Sequence, residues 1–185
     1  MARGMRLSDG VVELRAPRRS DTTELHRAIQ ESMPELRPWM AWAHPDYSDI
    51  EAGEWVRRAA RAFSEGVEFQ FVARELEHGE LLGTVGLNTI DRVNRWANLG
   101  YWLRTRHTGR GYMTRAARLV ADVGFSELVL GRIEILAAVA NLPSQGVARR
   151  LGAQREGVLR HRLRVGDETQ DAVVYSLIAA EPPNS

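Results

Sequence analysis

The alternation of apolar and polar positions begins with VVELRAP, Val11 to Pro17, where a period of two predicts a strand that proline ends. Ser20 and Asp21 suit the cap of a helix running to about Glu31, with Leu25, Ala28 and Ile29 on one face. From Met33 to Tyr47 the period is lost: Pro34, Pro38 and Pro45 stand among Trp39, Trp42 and Tyr47, which predicts a short helix and irregular loop. Ser48 and Glu51 have capping-box spacing and open a helix to about Ser64, with Trp55, Val56, Ala59, Ala60 and Phe63 as its apolar stripe. The period then returns to two over Val67 to Glu75, Leu81 to Ile90 and Trp96 to Leu103, with short polar turns at His78-Gly79 and Asp91 to Asn94. Such spacing predicts an antiparallel meander. A helix follows from about Gly109 to Gly124, presenting Met113, Ala116, Ala117, Val120 and Val123 together. A strand (Arg132 to Ala140), a helix (Leu142 to Leu151) and a hairpin (Gln154 to Leu163 with Thr169 to Ile178) complete the chain. This order predicts an α/β (α+β) fold, a mixed sheet of about seven strands with helices on both faces. Without a repeat, low-complexity tract or linker, residues 1–185 read as one domain with an ordered core over about 11–178 and a frayed tail, EPPNS.

Composition narrows the chemistry. A formal charge of +1 gives no electrostatic reason to expect nucleic acid or a membrane as the main partner. All 25 basic residues counted as Lys+Arg are arginine, which excludes lysine-dependent catalysis. The absence of cysteine excludes a disulfide framework, a thiol nucleophile and a thiolate metal site. The histidines, at positions 26, 44, 78, 107 and 161, have no metal-ligand spacing, so no metal is expected. Nothing resembling a nucleophile elbow accompanies the serines. MARGMRLSDG has no apolar core of a signal peptide, and no run approaches the roughly 20 apolar residues of a membrane span, so the expected location is cytoplasmic.

The informative stretch is LRTRHTGRGYMTRA, Leu103 to Ala116. Glycines leaving a strand let a ligand come close to main-chain N–H groups, and a helix starting there aims its first unpaired N–H groups and about half a positive charge at the same point. This is an anion site suited to phosphate or pyrophosphate, with Arg106, His107 and Arg110 as added positive charge. The phosphate-binding P-loop needs a lysine, which the chain lacks, and the dinucleotide fingerprint needs a third glycine where Thr114 stands.

Arg106-x-x-Gly109-x-Gly111, after a strand and opening a helix, resembles the acetyl-coenzyme A signature (Q/R-x-x-G-x-G/A) of the GCN5-related N-acetyltransferases. GYWL, Gly100 to Leu103, and the later NLPSQGVARRLGAQREG are similar to the ribosomal-protein N-terminal (RimJ/RimL-like) branch. The resemblance covers Val11 to Ile178 and implies a mostly antiparallel twisted sheet with a V-shaped splay between the fourth and fifth strands, where pantetheine inserts. It implies that Trp102, Leu103 and Arg104 offer main-chain groups to pantetheine, and that Arg106, His107, Thr108, Gly109, Arg110, Gly111 and Tyr112 wrap the pyrophosphate. Asn141, a good helix cap in its own right, is implied as a second contact to pantetheine, Ser144 as a proton or hydrogen-bond donor to the leaving thiolate, and Arg150 as a partner of the adenosine 3′-phosphate. The backbone N–H near Leu103, where a bulge is expected, would meet the oxyanion. Trp39, Trp42 and Tyr47 are the implied acceptor wall, and the loop Asp91 to Trp96 a second rim.

No general base follows from the motifs. The branch's glutamate after the E-G pair, here Glu156-Gly157, has no counterpart in VLRHRLR, leaving His161 as the titratable residue of that stretch and Glu68 or Asp91 as carboxylates acting through water. At pH 7 an α-amine is roughly one-seventh neutral, whereas a lysine amine is neutral at well under one part in a thousand. A site without an obvious base therefore favours α-amines. The resulting expectation is direct transfer of acetyl from acetyl-coenzyme A to a primary amine, foremost a protein or peptide N-terminus. The alternatives are a small amine such as a polyamine or aminoglycoside, and a non-catalytic coenzyme A-binding module. Monomer and homodimer both stay open.

Overall fold

The structure is a computed structural model and describes residues 5–180. One eight-stranded sheet runs through it in the order β1-β2-β3-β4-β5-β6-β8-β7. Its strands are β1 (Arg6–Ser8), β2 (Val12–Arg15), β3 (Phe69–Glu75), β4 (Leu81–Asp91), β5 (Trp96–Leu103), β6 (Arg132–Ala138), β7 (Gln154–Val165) and β8 (Glu168–Ile178). The helices are α1 (Thr22–Leu36), α2 (Asp49–Glu65), α3 (Tyr112–Ser126) and α4 (Leu142–Leu151). The strand beyond the expected seven is β1, whose three residues are too few to produce a readable period; it pairs antiparallel with β2.

Every neighbouring pair is antiparallel except β5 and β6. These two run parallel and pair only at Trp96 with Arg132, Ala97 with Ile133 and Asn98 with Glu134. Beyond Asn98, β5 continues to Leu103 and β6 to Ala138 without pairing, so the sheet opens as a V between them. The helices α3 and α4 cover one face through Met113, Ala116, Ala117, Val120, Val147 and Ala148. On the other face Leu25, Ala28, Ile29 and Met33 of α1 meet Ala52 and Val56 of α2 over Val72, Leu81 and Trp102.

Two expected features change in the structure. Helix α1 continues through Pro34 to Leu36 rather than stopping near Glu31, because its buried face continues through Ser32, Met33 and Leu36. Asp21 makes no side-chain cap. It is 1% exposed and takes both terminal nitrogens of the Arg15 guanidinium (2.6 and 2.8 Å), the Arg18 N–H (2.7 Å) and Arg74 (3.1 Å), so it joins β2 and β3 to the start of α1. The Ser48 capping box forms as expected.

Candidate active site

The anion site is assembled by a short 3-10 turn, Thr105–His107, and two left-handed glycines. Gly109 and Gly111 both have φ of +78°, a conformation that leaves α3 pointing its first N–H groups outward, and a Cβ at either position meets nothing within 4 Å. Among the described residues, the N–H groups of Gly109 through Thr114 have no hydrogen-bond acceptor, the first helical bond being Arg115 N to Gly111 O. Six free donors at a helix start form the cradle that the sequence predicts.

The charges around it differ from expectation. His107 is 4% exposed, and burial, reinforced by the neighbouring arginines, pushes its imidazole below the ordinary value. It is therefore a neutral support under the loop, with its ring edge-on to Tyr112, and supplies no cation. Arg106 turns to Glu80 (3.0 Å) and to His107 Nε2 (3.3 Å). Arg110 has no ion pair among the described residues and stays exposed beside the glycines. Arg150 crosses from α4 to Thr114 Oγ1 (3.2 Å) in the first turn of α3, adding a cation from outside the motif.

The V is served by fewer backbone groups than the motif implies. Arg104 N–H bonds Leu82 O (2.7 Å) and Arg104 O accepts from His107 N–H, so both of its main-chain groups are occupied. Backbone direction alternates along a strand, hence Trp102, opposite Thr84, also faces β4, while Tyr101 and Leu103 face the V. Register with β4 is unbroken from Asn98 to Leu103, so the expected bulge at Leu103 is absent; the irregularity lies between Asn88 and Asp91. Gly83 allows this close pairing, since at its φ of +150° a Cβ would stand 2.2 Å from Trp102 O. The Arg104 side chain is buried and binds Glu31 of α1 through Nε (2.7 Å) and a terminal nitrogen (2.5 Å), anchoring the strand end.

On the far side of the V, Asn141 caps α4 by accepting from Ser144 N–H (3.1 Å). The Tyr101 hydroxyl donates to Ser144 O (3.0 Å) and lies 3.2 Å from Ser144 Oγ, so its lone pairs are available to the serine proton. Burial pushes the Tyr101 phenol up to about 12, which keeps it neutral and a hydrogen-bond donor. No motif marks this tyrosine although it lies in GYWL; only the folding of the α4 start against β5 puts it on Ser144. Tyr101→Phe is expected to lower turnover about fivefold, the effect of one ordinary hydrogen bond, without changing the melting temperature by more than a few degrees; steady-state kinetics and a thermal scan check both.

A cleft of about 740 Å³ connects the V to the α1–α2 face. Trp39, Trp42 and Tyr47 all line it, as do Asn141 and Ser144. Trp42 stands edge-on to Trp102 at 6.2 Å, while Tyr47 is 7% exposed and its phenol is pushed up to about 12 by burial, so its ring is wall and core at once. Of the second rim only Trp96 lines the cleft. Asp91 instead folds its own turn, bonding the N–H groups of Val93 and Asn94, and is absent from the lining. His161 is exposed and bound to Thr169 (3.1 Å), also away from the cleft. Neither is placed to serve as base.

The family model for the acetyltransferase (GNAT) domain matches residues 12–154, more than half of the chain. The protein belongs to the GNAT acetyltransferases. It is 34% identical over 166 residues to the Bacillus subtilis protein named "Putative ribosomal N-acetyltransferase YdaF", covering 87% of each chain. It is 26% identical to the ribosomal-protein-serine acetyltransferase of Escherichia coli over 90% of this chain and 92% of that one. In fold it matches RimL, a ribosomal L7/L12 alpha-N-protein acetyltransferase solved with coenzyme A, at a TM-score of 0.88 and 23% identity, covering 95% of this chain and 98% of that one.

As an acetyltransferase cleft, the cavity has a distinct charge pattern. Four glutamates, 51, 54, 68 and 134, line it against Arg58 and Arg162. Glu51 is held down to about 2 by the Ser48 N–H and hydroxyl together with His44, so it stays ionised. An excess of negative charge suits a cationic amine and disfavours an anionic acceptor. Among the described residues, no helix is long and apolar enough to cross a membrane.

Proposed function

We propose that this acetyltransferase transfers acetyl from acetyl-coenzyme A directly to the α-amine of a protein or peptide N-terminus, with residues 1–185 acting as one catalytic domain. The observation that carries the reading is the continuity of three parts: the donor-rich start of α3, the V between β5 and β6, and the acid-lined cleft on the opposite face. The N–H groups of Gly109 through Thr114 fit the pyrophosphate, with Arg110 and Arg150 beside them; the outward backbone of Tyr101 and Leu103 fits the pantetheine amides. Pantetheine pairing inward past Leu103 carries the thioester toward the apex of the V, so the outward Tyr101 N–H, in place of the expected Leu103 N–H, is the donor for the oxyanion. With no cysteine or lysine in the chain, acyl transfer through sulfur or a lysine amine is excluded, and a ternary complex is the simplest route. Ser144 turns its hydroxyl from Tyr101 to sulfur as charge develops there, and so gives its hydrogen bond to the leaving thiolate.

The acidic cleft also suits a small polycation, and the test separates the two. Thiol release from acetyl-coenzyme A is measured with peptides varied at the first residue, and in parallel with polyamines and aminoglycosides. Turnover on peptides with free but not blocked N-termini is the expected result. Turnover confined to polyamines or aminoglycosides overturns the acceptor assignment. Ser144→Ala is expected to lower kcat 10- to 100-fold, because a hydrogen bond to a charged group contributes about 1.5–3 kcal/mol; an unchanged kcat removes the assigned role.

A further inference from the structure

Strand register places a continuous polar row across the floor of the cleft. Extending the pairing of Phe69 with Leu87 by one residue sets Glu68 opposite Asn88; Asn88 pairs with Asn98, and Asn98 with Glu134. All four line the cleft. In the middle, Asn98 Nδ2 donates to Asn88 Oδ1 (3.0 Å). Next to this row Gly86 pairs with Gly100, and the side chains that reach over these glycines are the amides of Gln70, Asn88 and Asn98. The carboxylates at the two ends are not equivalent. Glu68 lies two strands from β5, about 10 Å away at ordinary strand spacing. Glu134 belongs to the last paired residues before the V opens, so its side chain stands at the apex where the acyl and acceptor sides meet.

The surroundings of Glu134 engage one of its oxygens and leave the other free. Arg132 Nε donates to Oε1 (2.8 Å), while the rest of that guanidinium grips both oxygens of Glu156 (2.7 and 2.5 Å), which also accepts from Ser176 (2.6 Å). Glu156 is held down to about 2 by this grip. The E-G pair of the sequence is therefore a clamp on Arg132, and Arg132 is a clamp on Glu134. Among the described residues Oε2 of Glu134 has no partner. Glu134 lines the cleft, and its cross-strand neighbours Asn98 and Ser176 are neutral, so neither paired residue sets a competing cation against Oε2.

We propose that Glu134 is the catalytic carboxylate that receives the acceptor's proton, a role that rests on the N-acetyltransferase reading above. The neutral amine attacks the thioester carbon, forming the C–N bond as the carbonyl becomes an oxyanion. The nitrogen, now positive, gives one proton to Glu134 Oε2. The oxyanion collapses, the C–S bond breaks, and the thiolate leaves with the sulfur electron pair, to be protonated by solvent; Glu134 returns its proton to solvent. Acting after attack, the base takes a proton from a nitrogen that the new bond to carbon has made more acidic than the free ammonium. This step needs no carboxylate in VLRHRLR, the stretch where the motif pattern looks for one.

The test uses the full chain with the acceptor the wild type turns over. Glu134→Gln keeps the shape and the Arg132 contact but cannot take a proton, and is expected to lower kcat about 100-fold with the KM for acetyl-coenzyme A within threefold of wild type. Glu134→Ala is expected to recover at least tenfold in kcat with sodium formate, whereas the Gln variant does not respond; a purely structural role gives no such recovery. A kcat for Glu134→Gln within threefold of wild type, a loss that formate leaves untouched, or loss of acetyl-coenzyme A binding in both variants overturns the assignment. Silence of the wild type on every amine defeats the N-acetyltransferase reading instead.

Discussion

Asp21→Asn is expected to cost about 3–5 kcal/mol of folding stability, the range found when one partner of a buried ion pair is removed. The Asp21 carboxylate is the common acceptor for Arg15, itself 8% exposed, for Arg74 and for the Arg18 N–H. Neutralising it leaves two arginines with little water and reduced compensation; Arg74 retains Glu24 (2.6 Å), Arg15 only the Ala16 carbonyl (3.2 Å). Burial alone would raise the Asp21 pKa, but the bonds from Arg15 and Arg18 prevail and hold it below the usual carboxylate value. A depressed folded pKa contributes stability that is complete above the unfolded value of about 3.9 and is lost as pH falls through the folded value. The gap between wild type and variant in urea unfolding should therefore be full at pH 7 and shrink below about pH 4. A gap independent of pH would mean that the charge is not what the site requires.

Gly111→Asp is expected to separate stability from function. The position is left-handed, which aspartate tolerates better than most residues, and it is the N-cap of α3, where an acidic side chain can bond the free N–H groups. The conformational cost and the capping gain are each about 1 kcal/mol, so the melting temperature should move by only a few degrees. The same carboxylate occupies the donors that we propose hold pyrophosphate, and repels it. Acetyl-coenzyme A affinity should fall at least 1,000-fold, about 4 kcal/mol, with Gly111→Asn losing much less because it brings no charge. Titration calorimetry on the three proteins decides it: equal losses for Asp and Asn would point to shape rather than charge.

The donor half of the site was legible because it is local. A strand end, two glycines and a helix start lie within a dozen residues, and their physics needs no distant partner. The Ser48 capping box, the meander and the helix stripes are legible for the same reason. Features that depend on strands far apart in sequence were hidden. No spacing rule links Tyr101 to Ser144, or lines up Glu68, Asn88, Asn98 and Glu134, since that alignment is set by the registers of three strand pairs. Nor does a motif tell which way a polar side chain turns: His107 belongs to the signature stretch yet lies buried and neutral, while Arg150, 36 positions from Thr114, reaches it.

Sequence by itself determined the family, the glycine turn that opens α3 and the order of elements, because each is written in the period and chemistry of neighbouring residues. Tertiary structure alone decided which backbone groups face the V, which charges reach the cleft, and where a base can stand. Those depend on register and on the sheet opening between β5 and β6 after Asn98, where pairing stops and the space for a substrate begins.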